Sequence, residues 1–237
     1  HIVQTVFVEC GSMYREGGLQ EMQPVGETEF VQGIAAQNAS GQYGMTTVAA
    51  GIVGFADFTL GAAVAPVLEA HIAASRNRFR GVRFRGIRQT PPKGLLLNPK
   101  FREGFACLQK YNLSFDALVL YHSCLMELVD LARAFPDIPI IVNHTGDPRG
   151  TGPYAGKREE VFQEWKRGIA ALANCPNVVM KLGGLGLPLC GFGWHERATP
   201  PGSAELAEAM APYYRRCIEQ FGVDRCMFES NFPVDKR

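Results

Sequence analysis

Short runs rich in β-branched and aromatic residues alternate along the chain with longer segments in which apolar residues recur every three or four positions. The first pattern is typical of β-strands and the second of amphipathic helices. The predicted strands cover residues 3–9, 46–55, 79–87, 115–121, 138–143, 177–182 and 225–229. No low-complexity linker interrupts them.

Three of the intervening segments show helical periodicity clearly enough to place a helix. Apolar residues in the segment 124–135 fall on one helix face, and this helix must end before the proline that follows it. Residues 203–221 show the same spacing, with Ser203 as the candidate N-cap. Residues 60–75 are less regular, and Pro66 fits best in the first turn of a helix there.

Seven successive strands and helices predict a parallel sheet with helices outside it, in a single domain of residues 1–237. An open doubly wound sheet and an eight-stranded barrel both have this pattern. An open sheet that binds a dinucleotide requires a G-x-G-x-x-G turn after its first strand, whereas Glu9 is followed by Cys-Gly-Ser-Met. The glycine-rich segment 183–186 precedes no clear helix, so we predict no nucleotide site there.

The alternation of side chains in the strand 79–87 favours the barrel. Val82 and Phe84 share one face of this strand, and Arg83 and Arg85 share the other. An open sheet buries both faces under helices, but a barrel packs one face on helices and turns the other into its lumen. The sequence therefore predicts an α/β fold of the (β/α)8 TIM-barrel type, with both arginines in the lumen.

Polar residues occupy the carboxyl ends of the predicted strands, where barrels of this type carry their catalytic groups. These residues are Glu9, Asp57, Arg83, Arg85, His122, His144, Asp147, Lys181 and Asn231. His144 is the strongest candidate, because a histidine at the mouth of a buried strand serves either as a metal ligand or as an acid or base. Two other histidines are expected outside the site, His71 in the core or on the surface and His195 in a loop.

Three of the candidates are cations, and they make the predicted lumen electropositive. The predicted substrate-binding residues are Arg83, Arg85, Lys181 and Asp147. Guanidinium groups held in place suit a carboxylate bound through both oxygens. The alternative is that one arginine only forms an internal ion pair with Glu9 or Asp116.

Composition narrows the classes of partner. The net charge is +1, from 24 basic and 23 acidic residues, and no run of like charges suggests a nucleic-acid surface. No apolar run reaches the ~18 residues that a membrane span needs. Seven scattered cysteines without a C-x-x-C pair predict reduced thiols in a cytoplasmic protein, rather than a zinc or redox motif.

Several segments resemble the amidohydrolase-2 family of the amidohydrolase superfamily. They are Val-Phe-Val-Glu-Cys at 6–10, Gly-Ile-Val-Gly-Phe-Ala-Asp at 51–57, Arg-Gly-Val-Arg at 80–83, Val-Asn-His-Thr-Gly-Asp-Pro at 142–148 and the stretch 221–233. They occur in the family's order and run through nearly the whole chain. The branch that the chain resembles most contains lactonases such as L-fuconolactonase, 4-sulfomuconolactone hydrolase and 2-pyrone-4,6-dicarboxylate lactonase.

The resemblance implies a barrel with an H-x-H pair after the first strand, a histidine after the sixth and an aspartate after the eighth. The sixth-strand histidine is His144, a metal ligand if the H-x-H pair lies upstream of His1, and the eighth-strand position is Asn231. The fourth-strand arginine that binds substrate is Arg83, and the fifth-strand histidine is His122. A divalent ion, zinc or manganese, is implied for some members and metal-independent catalysis for others, and both options stay open.

The sequence departs from the family at two points. It contains no H-x-H pair, its first strand matches the family's second, and the final helix is missing. We therefore expect the natural protein to be longer at both ends, since a barrel that lacks a strand has two unpaired edges. Asn231 stands where the family has aspartate, and an amide cannot accept a proton from water. Either the base lies elsewhere (Glu9, His144 or an upstream histidine), or metal binding is weak, or catalysis is lost.

The leading hypothesis is hydrolysis of the ester bond of a small carboxylated lactone, derived from a sugar or from aromatic degradation. The catalytic candidates are Glu9, His122, His144 and Asn231. A non-oxidative decarboxylase of an aromatic or related acid and a catalytically impaired ligand-binding barrel are the alternatives. The expected partners are a small carboxylate or lactone substrate and a second copy of the chain in a homodimer, with neither nucleic acid nor membrane.

Overall fold

The computed structural model describes residues 2–84, 94–118 and 121–236. In chain order the elements are β1 (Gln4–Val8), α1 (Val25–Asn38), β2 (Thr47–Gly54), α2 (Ala65–Ala74), β3 (Phe79–Arg83), α3 (Pro99–Lys110), β4 (Ser114–Ala117), α4 (Leu125–Ala134), β5 (Ile140–Val142), α5 (Arg158–Ala173), β6 (Val178–Leu182), α6 (Ser203–Phe221) and β7 (Cys226–Phe228). Short 3-10 turns lie in several of the connections.

The described residues form two compact units, one of residues 2–84 and 97–116 and the other of residues 94–96, 117–118 and 121–236. In the first unit the strands pair in the order β1-β2-β3-β4, and in the second they pair in the order β5-β6-β7. All of these pairings are parallel. Within each unit a strand thus pairs with the next one in the chain, as in a barrel and not as in a doubly wound sheet. The single domain stays a prediction.

The seven predicted strands are all present but shorter than predicted. The strand predicted at 79–87 ends at Arg83, and Arg85 lies outside the described residues. The predicted cap at Ser203 is wrong. Gly202 occupies the N-cap position with an extended backbone, and Ser203 is already the first residue of α6.

A cluster of phenylalanine rings forms the core of the first unit. Phe58 packs edge-on against Phe101 and Phe115, with ring centroids 5.5 and 5.8 Å apart, and Phe105 packs edge-on against Phe115. Edge-to-face pairs of this kind contribute about 0.5–1.5 kcal/mol each beyond their buried area. Because Phe58 lies in the 3-10 turn before α2, Phe101 and Phe105 lie on α3 and Phe115 lies on β4, the cluster joins this turn and α3 to the sheet.

The core of the second unit centres on Trp165 of α5, which is fully buried. Its ring lies 5.1 Å from that of Tyr213 on α6. Arg225, which follows α6, contacts the end of α5 and the start of β6, since its guanidinium donates to the backbone oxygens of Ala173, Cys175 and Val178. These contacts hold α5, β6 and α6 in one block.

None of the helices in residues 2–84, 94–118 and 121–236 combines the length and the apolar character that crossing a membrane requires. The seven cysteines all lie in these ranges, and none of them forms a disulfide there.

His71 belongs to the core, one of its two expected places. Its Nδ1 lies 2.8 Å from Thr28 Oγ1, its Nε2 lies 2.9 Å from the Phe55 backbone oxygen, and its ring stacks on Phe79. Because a carbonyl can only accept, Nε2 carries the proton and Nδ1 accepts from the threonine. Burial lowers the pKa of His71 to about 4 and keeps the ring neutral.

A neutral His71 predicts that acid destabilises the protein. The folded-state pKa of about 4 lies below the ordinary value of 6.5, so the unfolded chain binds more protons between these pH values. The stabilisation is complete above pH 6.5 and falls by about 3 kcal/mol as the pH approaches 4. Urea unfolding of the wild type and His71→Gln from pH 4 to 7.5 should give free energies that converge toward low pH.

His195→Gln is the matched control, because His195 is exposed and should leave the curve of free energy against pH unchanged. Parallel curves for the wild type and His71→Gln would contradict the neutral buried imidazole.

Candidate active site

The chain makes an unusual turn after β5, from Asn143 to Asp147. His144, Thr145, Gly146 and Asp147 all have positive φ, at 50°, 55°, 74° and 47°. Two hydrogen bonds close the turn, from Gly146 N to Asn143 O and from Asp147 N to His144 O, both 2.9 Å long. A left-handed backbone costs a residue with a Cβ roughly 1–2 kcal/mol, so the surroundings must hold this turn in place.

Thr145 provides most of that support from inside the turn. Its hydroxyl donates to the Gly183 backbone oxygen at 2.9 Å, and its own backbone oxygen accepts from Trp165 Nε1 at 2.7 Å. Gly184 packs directly on His144, since a Cβ added to Gly184 would lie 2.5 Å from the histidine Cβ. The loop after β6 therefore fixes both the turn and the position of the His144 side chain.

His144 is hydrogen-bonded to Glu229, the residue directly after β7. Its Nδ1 donates to Glu229 Oε1 at 2.7 Å, and its backbone N–H donates to the same oxygen at 3.2 Å. The two side chains are only 8% and 11% exposed. Because the carboxylate can only accept, the Nδ1 atom carries the proton, and proton exchange with a substrate falls to Nε2.

Lys181 of β6 is the cation of this group. It is 9% exposed, and its Nζ lies 3.9 Å from Glu229 Oε2. Burial by itself would raise the pKa of Glu229, but the hydrogen bonds and charge of His144 and the charge of Lys181 outweigh it and lower that pKa. Glu229 is therefore ionised at neutral pH. His144, Lys181 and Glu229 come from three neighbouring strand ends, and we call them the His–Lys–Glu cluster.

Asn231 and Asp235 form a second polar pair in the loop after β7. The Asn231 side-chain amide donates to Asp235 Oδ1 at 2.6 Å, and the Asp235 backbone N–H donates to the Asn231 backbone oxygen at 3.3 Å. Burial raises the pKa of Asp235, and the hydrogen bond from Asn231 partly offsets this rise. Asn231 thus holds a carboxylate, whatever its own part in catalysis, which stays a prediction.

His122 is buried, as expected for a strand-end residue inside a barrel. Its Nε2 lies 3.4 Å from Glu164 Oε2, and its ring meets the edge of Tyr154. Neither ring nitrogen has a hydrogen-bond partner within the described part of the chain. Burial lowers the pKa of His122 more than the charge of Glu164 raises it, so the ring is neutral at pH 7. Its contact with substrate stays a prediction.

Glu9 and Arg83 form an ion pair in the first unit. Arg83 Nε donates to Glu9 Oε1 at 2.8 Å, and the guanidinium also donates to the Glu9 backbone oxygen. Glu9 is completely buried. This is the internal ion pair that the sequence offered as the alternative to substrate binding by Arg83.

Asp147, Asp57 and His195 differ in burial and in contacts. Asp147 is 4% exposed and ends the left-handed turn. Asp57 has a structural role, because its carboxylate accepts from the backbone N–H and the hydroxyl of Thr59 and so caps the 3-10 turn before α2. His195 is exposed in its loop, as expected.

Sequence reasoning missed Glu229 and Asp235. Glu229 is the last residue of the predicted strand 225–229, and this place at a strand end is the signal that points to it. Asp235 follows no strand, so only its spacing of four residues from Asn231 hints at a contact.

A family model for the amidohydrolases matches residues 11–237. The chain belongs to the amidohydrolase-2 family. Relatives of this amidohydrolase include the uncharacterized protein y4mH of Sinorhizobium fredii, 35% identical over 95% of this chain and 67% of the relative. The L-fucono-1,5-lactonase of Burkholderia ambifaria is 28% identical over 95% of this chain and 73% of its own. The chain therefore spans about two thirds to three quarters of the length of these two relatives.

The solved structure of an amidohydrolase from Burkholderia multivorans with bound zinc has the same fold. Its TM-score is 0.67 at 23% identity, over 88% of this chain and 64% of that one. This likeness and the sequential parallel strands confirm the predicted α/β fold of the (β/α)8 class.

The family implies a metal ion, which would need several His, Cys, Asp or Glu side chains of this amidohydrolase as ligands. Within residues 2–84, 94–118 and 121–236, no three His, Cys, Asp or Glu side chains are grouped closely enough to hold a metal ion. Glu229, the carboxylate next to His144, already contacts a histidine and lies near a lysine. The described residues do not form a metal site, and the role of His144 as a metal ligand stays a prediction.

The Asn231–Asp235 pair predicts that restoring the family's aspartate destabilises this amidohydrolase. In Asn231→Asp two acceptor-only groups would meet where the donor and acceptor atoms are now 2.6 Å apart. We expect a loss of about 1–3 kcal/mol in the free energy of unfolding at pH 7. Like charges raise the folded-state pKa of the pair, so the loss should be small below pH 4 and should grow as the pH rises.

Denaturant unfolding at pH 4 and pH 7 measures this loss. Asn112→Asp is the matched control, because Asn112 is exposed and also has a positive φ, of 52°. If Asn231→Asp were as stable as the wild type at pH 7, the hydrogen bond between Asn231 and Asp235 would not exist in solution.

Proposed function

We propose that this amidohydrolase hydrolyses the ester bond of a small lactone by attack of water on the carbonyl carbon. The observation that carries the proposal is the buried His–Lys–Glu cluster at the ends of β5, β6 and β7. Such a cluster supplies a proton acceptor and a positive charge within one small space. The name of the Burkholderia ambifaria relative, a lactonase aligned over 95% of this chain, supports the same reaction.

His144 is the proposed general base. Its Nδ1–H is held by Glu229, so the ring acts as a base in the form whose Nε2 carries no proton. As the water oxygen bonds to the carbonyl carbon, its proton passes to Nε2. Glu229 stabilises the imidazolium that results, because its negative charge lies 2.7 Å from Nδ1.

Lys181 is the proposed stabiliser of the negative charge that develops on the carbonyl oxygen. A fixed cation in a site with little water lowers the energy of such an oxyanion far more than it would in solution. Collapse of the tetrahedral intermediate breaks the ring C–O bond, and Nε2 returns its proton to the leaving ring oxygen. The product is the open-chain hydroxy acid, and no step requires a residue beyond this cluster.

The proposal predicts a graded loss of activity in two variants. His144→Asn tolerates the positive φ of residue 144 but removes the base, so kcat should fall ~10²–10⁴-fold. Glu229→Gln can turn a donor toward Nδ1 and so favour the wrong tautomer, with an expected loss on the order of 10²-fold. Acid release from a panel of five- and six-membered lactones, followed in a pH-stat, measures both.

Lys110→Met is the control that removes an exposed lysine, and it should leave kcat unchanged. Wild-type kcat in His144→Asn would refute the role of the base. Release of CO₂ from aromatic acids without any lactone hydrolysis would instead favour the decarboxylase.

A further inference from the structure

The backbone of the glycine-rich segment 183–186, directly after β6, packs on the His–Lys–Glu cluster. An added Cβ would lie 2.9 Å from Glu229 Cγ at Gly183 and 2.7 Å from His144 Nδ1 at Gly184. These separations are well below van der Waals contact, so only glycine fits at both positions. The His144 side chain is thus bounded by the Gly184 backbone and, at Nδ1, by the Glu229 carboxylate.

Gly184 has hydrogen bonds at both its backbone oxygen and its backbone nitrogen. The oxygen accepts from the Leu187 N–H at 3.3 Å and from the Cys190 thiol at 3.7 Å, both in the same loop after β6. The N–H donates to the Asp235 carboxylate. Asp235 is therefore the partner that ties Gly184 to the loop after β7.

Asp235 is itself held in place by Asn231 and Gly186. The Asn231 amide donates to Asp235 Oδ1 at 2.6 Å. A Cβ added to Gly186 would lie 3.2 Å from Asp235 Cγ, so the carboxyl group contacts the segment 183–186 at a second point. Asn231 has a positive φ of 46°, which asparagine adopts more readily than most residues. The loop after β7 thus presents one carboxylate, in a defined place, to the Gly184 N–H.

The bond from Gly184 to Asp235 matters for His144 because of what it prevents. A charged acceptor binds an N–H group roughly twice as strongly as a neutral one, and the two hydrogen bonds to the Gly184 oxygen are long. Glycine has no Cβ to restrict its φ, so without Asp235 this peptide can move away from the imidazole. A displacement of about 1 Å at a reacting group can cost ~10²-fold in rate.

We propose that Asp235 is a positioning residue for His144, which holds the Gly184 backbone against the imidazole and is itself oriented by Asn231. Asn231 then acts through Asp235 and not on the substrate. Position 231 requires an amide in this chain, because a carboxylate there could not donate to Asp235. The catalytic consequence rests on the proposed lactone hydrolysis, whereas the effect on the His144 ring does not.

Asp235→Ala removes the acceptor of both hydrogen bonds and tests the proposal. The Nδ1 proton of His144 should resonate downfield in the wild type, and in the variant this resonance should broaden or move upfield as the ring loses its fixed position. In lactone hydrolysis kcat should fall roughly 10–10²-fold while KM stays within about twofold, because Asp235 acts on His144 and not on the substrate. Asp224→Ala, which removes an exposed aspartate from the turn before β7, should change neither the resonance nor kcat.

An exchange of the two side chains separates positioning from a charge that must lie at position 235. In the double variant Asn231→Asp plus Asp235→Asn, the amide at position 235 can donate to the carboxylate at 231, and its oxygen can still accept from Gly184. This variant should recover the wild-type His144 resonance and a kcat within about threefold of the wild type. Asn231→Asp alone should show the altered resonance of Asp235→Ala.

Two results would overturn the proposal. One is a His144 resonance that is the same in Asp235→Ala as in the wild type, and the other is an exchange variant that does not recover the resonance. If Asp235→Ala fails to fold, the comparison of Asn231→Asp with the exchange variant decides the same question.

The spectra distinguish failure of this proposal from failure of the proposed function. If the wild type hydrolyses no lactone, the proposed function is refuted, and the His144 resonance still decides whether Asp235 positions the ring. If the wild type is active and kcat is unchanged in Asp235→Ala, the proposed function stands and the role of Asp235 in it is overturned.

Discussion

The hydrogen bond between Glu229 and His144 is the contact on which the rest of the site depends. It joins the ends of two strands that are far apart in the chain, and both side chains are about nine-tenths buried. Breaking it would leave a carboxylate without its main partner in a setting of low polarity, where an unsatisfied charge is costly. The same bond fixes the imidazole tautomer, so the stability of the site and its proposed chemistry have one physical origin.

The backbone at residues 144–147 shows what the fold tolerates to present this histidine. Four successive residues have positive φ, and the three of them that carry a Cβ cost roughly 1–2 kcal/mol each. Thr145 is the most unfavourable of them, because β-branched residues rarely have positive φ. Its side chain and backbone bond to Gly183 and Trp165, which are buried, so packing of the second unit maintains the strain.

The sequence predicted the parts of this structure that depend on local pattern. Apolar residues at every second position located the strands, and apolar residues at every third or fourth position located the helices. The rule that polar groups gather at strand ends selected His144 and Lys181 as candidate site residues. The same rule also selected Asp57, which caps a 3-10 turn through Thr59. A carboxylate two residues before a threonine is a local capping pattern, and it could have been separated from the functional candidates on that ground.

Other features could not be derived from the pattern because they depend on tertiary contacts. The sequence leaves open whether Arg83 binds substrate or pairs with Glu9, 74 residues away, and only the structure shows that the ends of β1 and β3 come close enough for the ion pair. The contacts of Asp235 depend on the course of an irregular loop, which has no period to read. Glu229 had the right position, but only the structure shows that its side chain turns toward His144 and Lys181.

The protonation state of the His144 ring tests this account most directly. Nitrogen-15 NMR of histidine-labelled protein at pH 7 distinguishes a protonated from an unprotonated ring nitrogen. We predict a protonated Nδ1 whose proton resonance is shifted downfield by the bond to Glu229, and we predict that this shift is lost in Glu229→Gln. A neutral ring protonated only at Nε2, or a resonance unchanged in Glu229→Gln, would contradict the account.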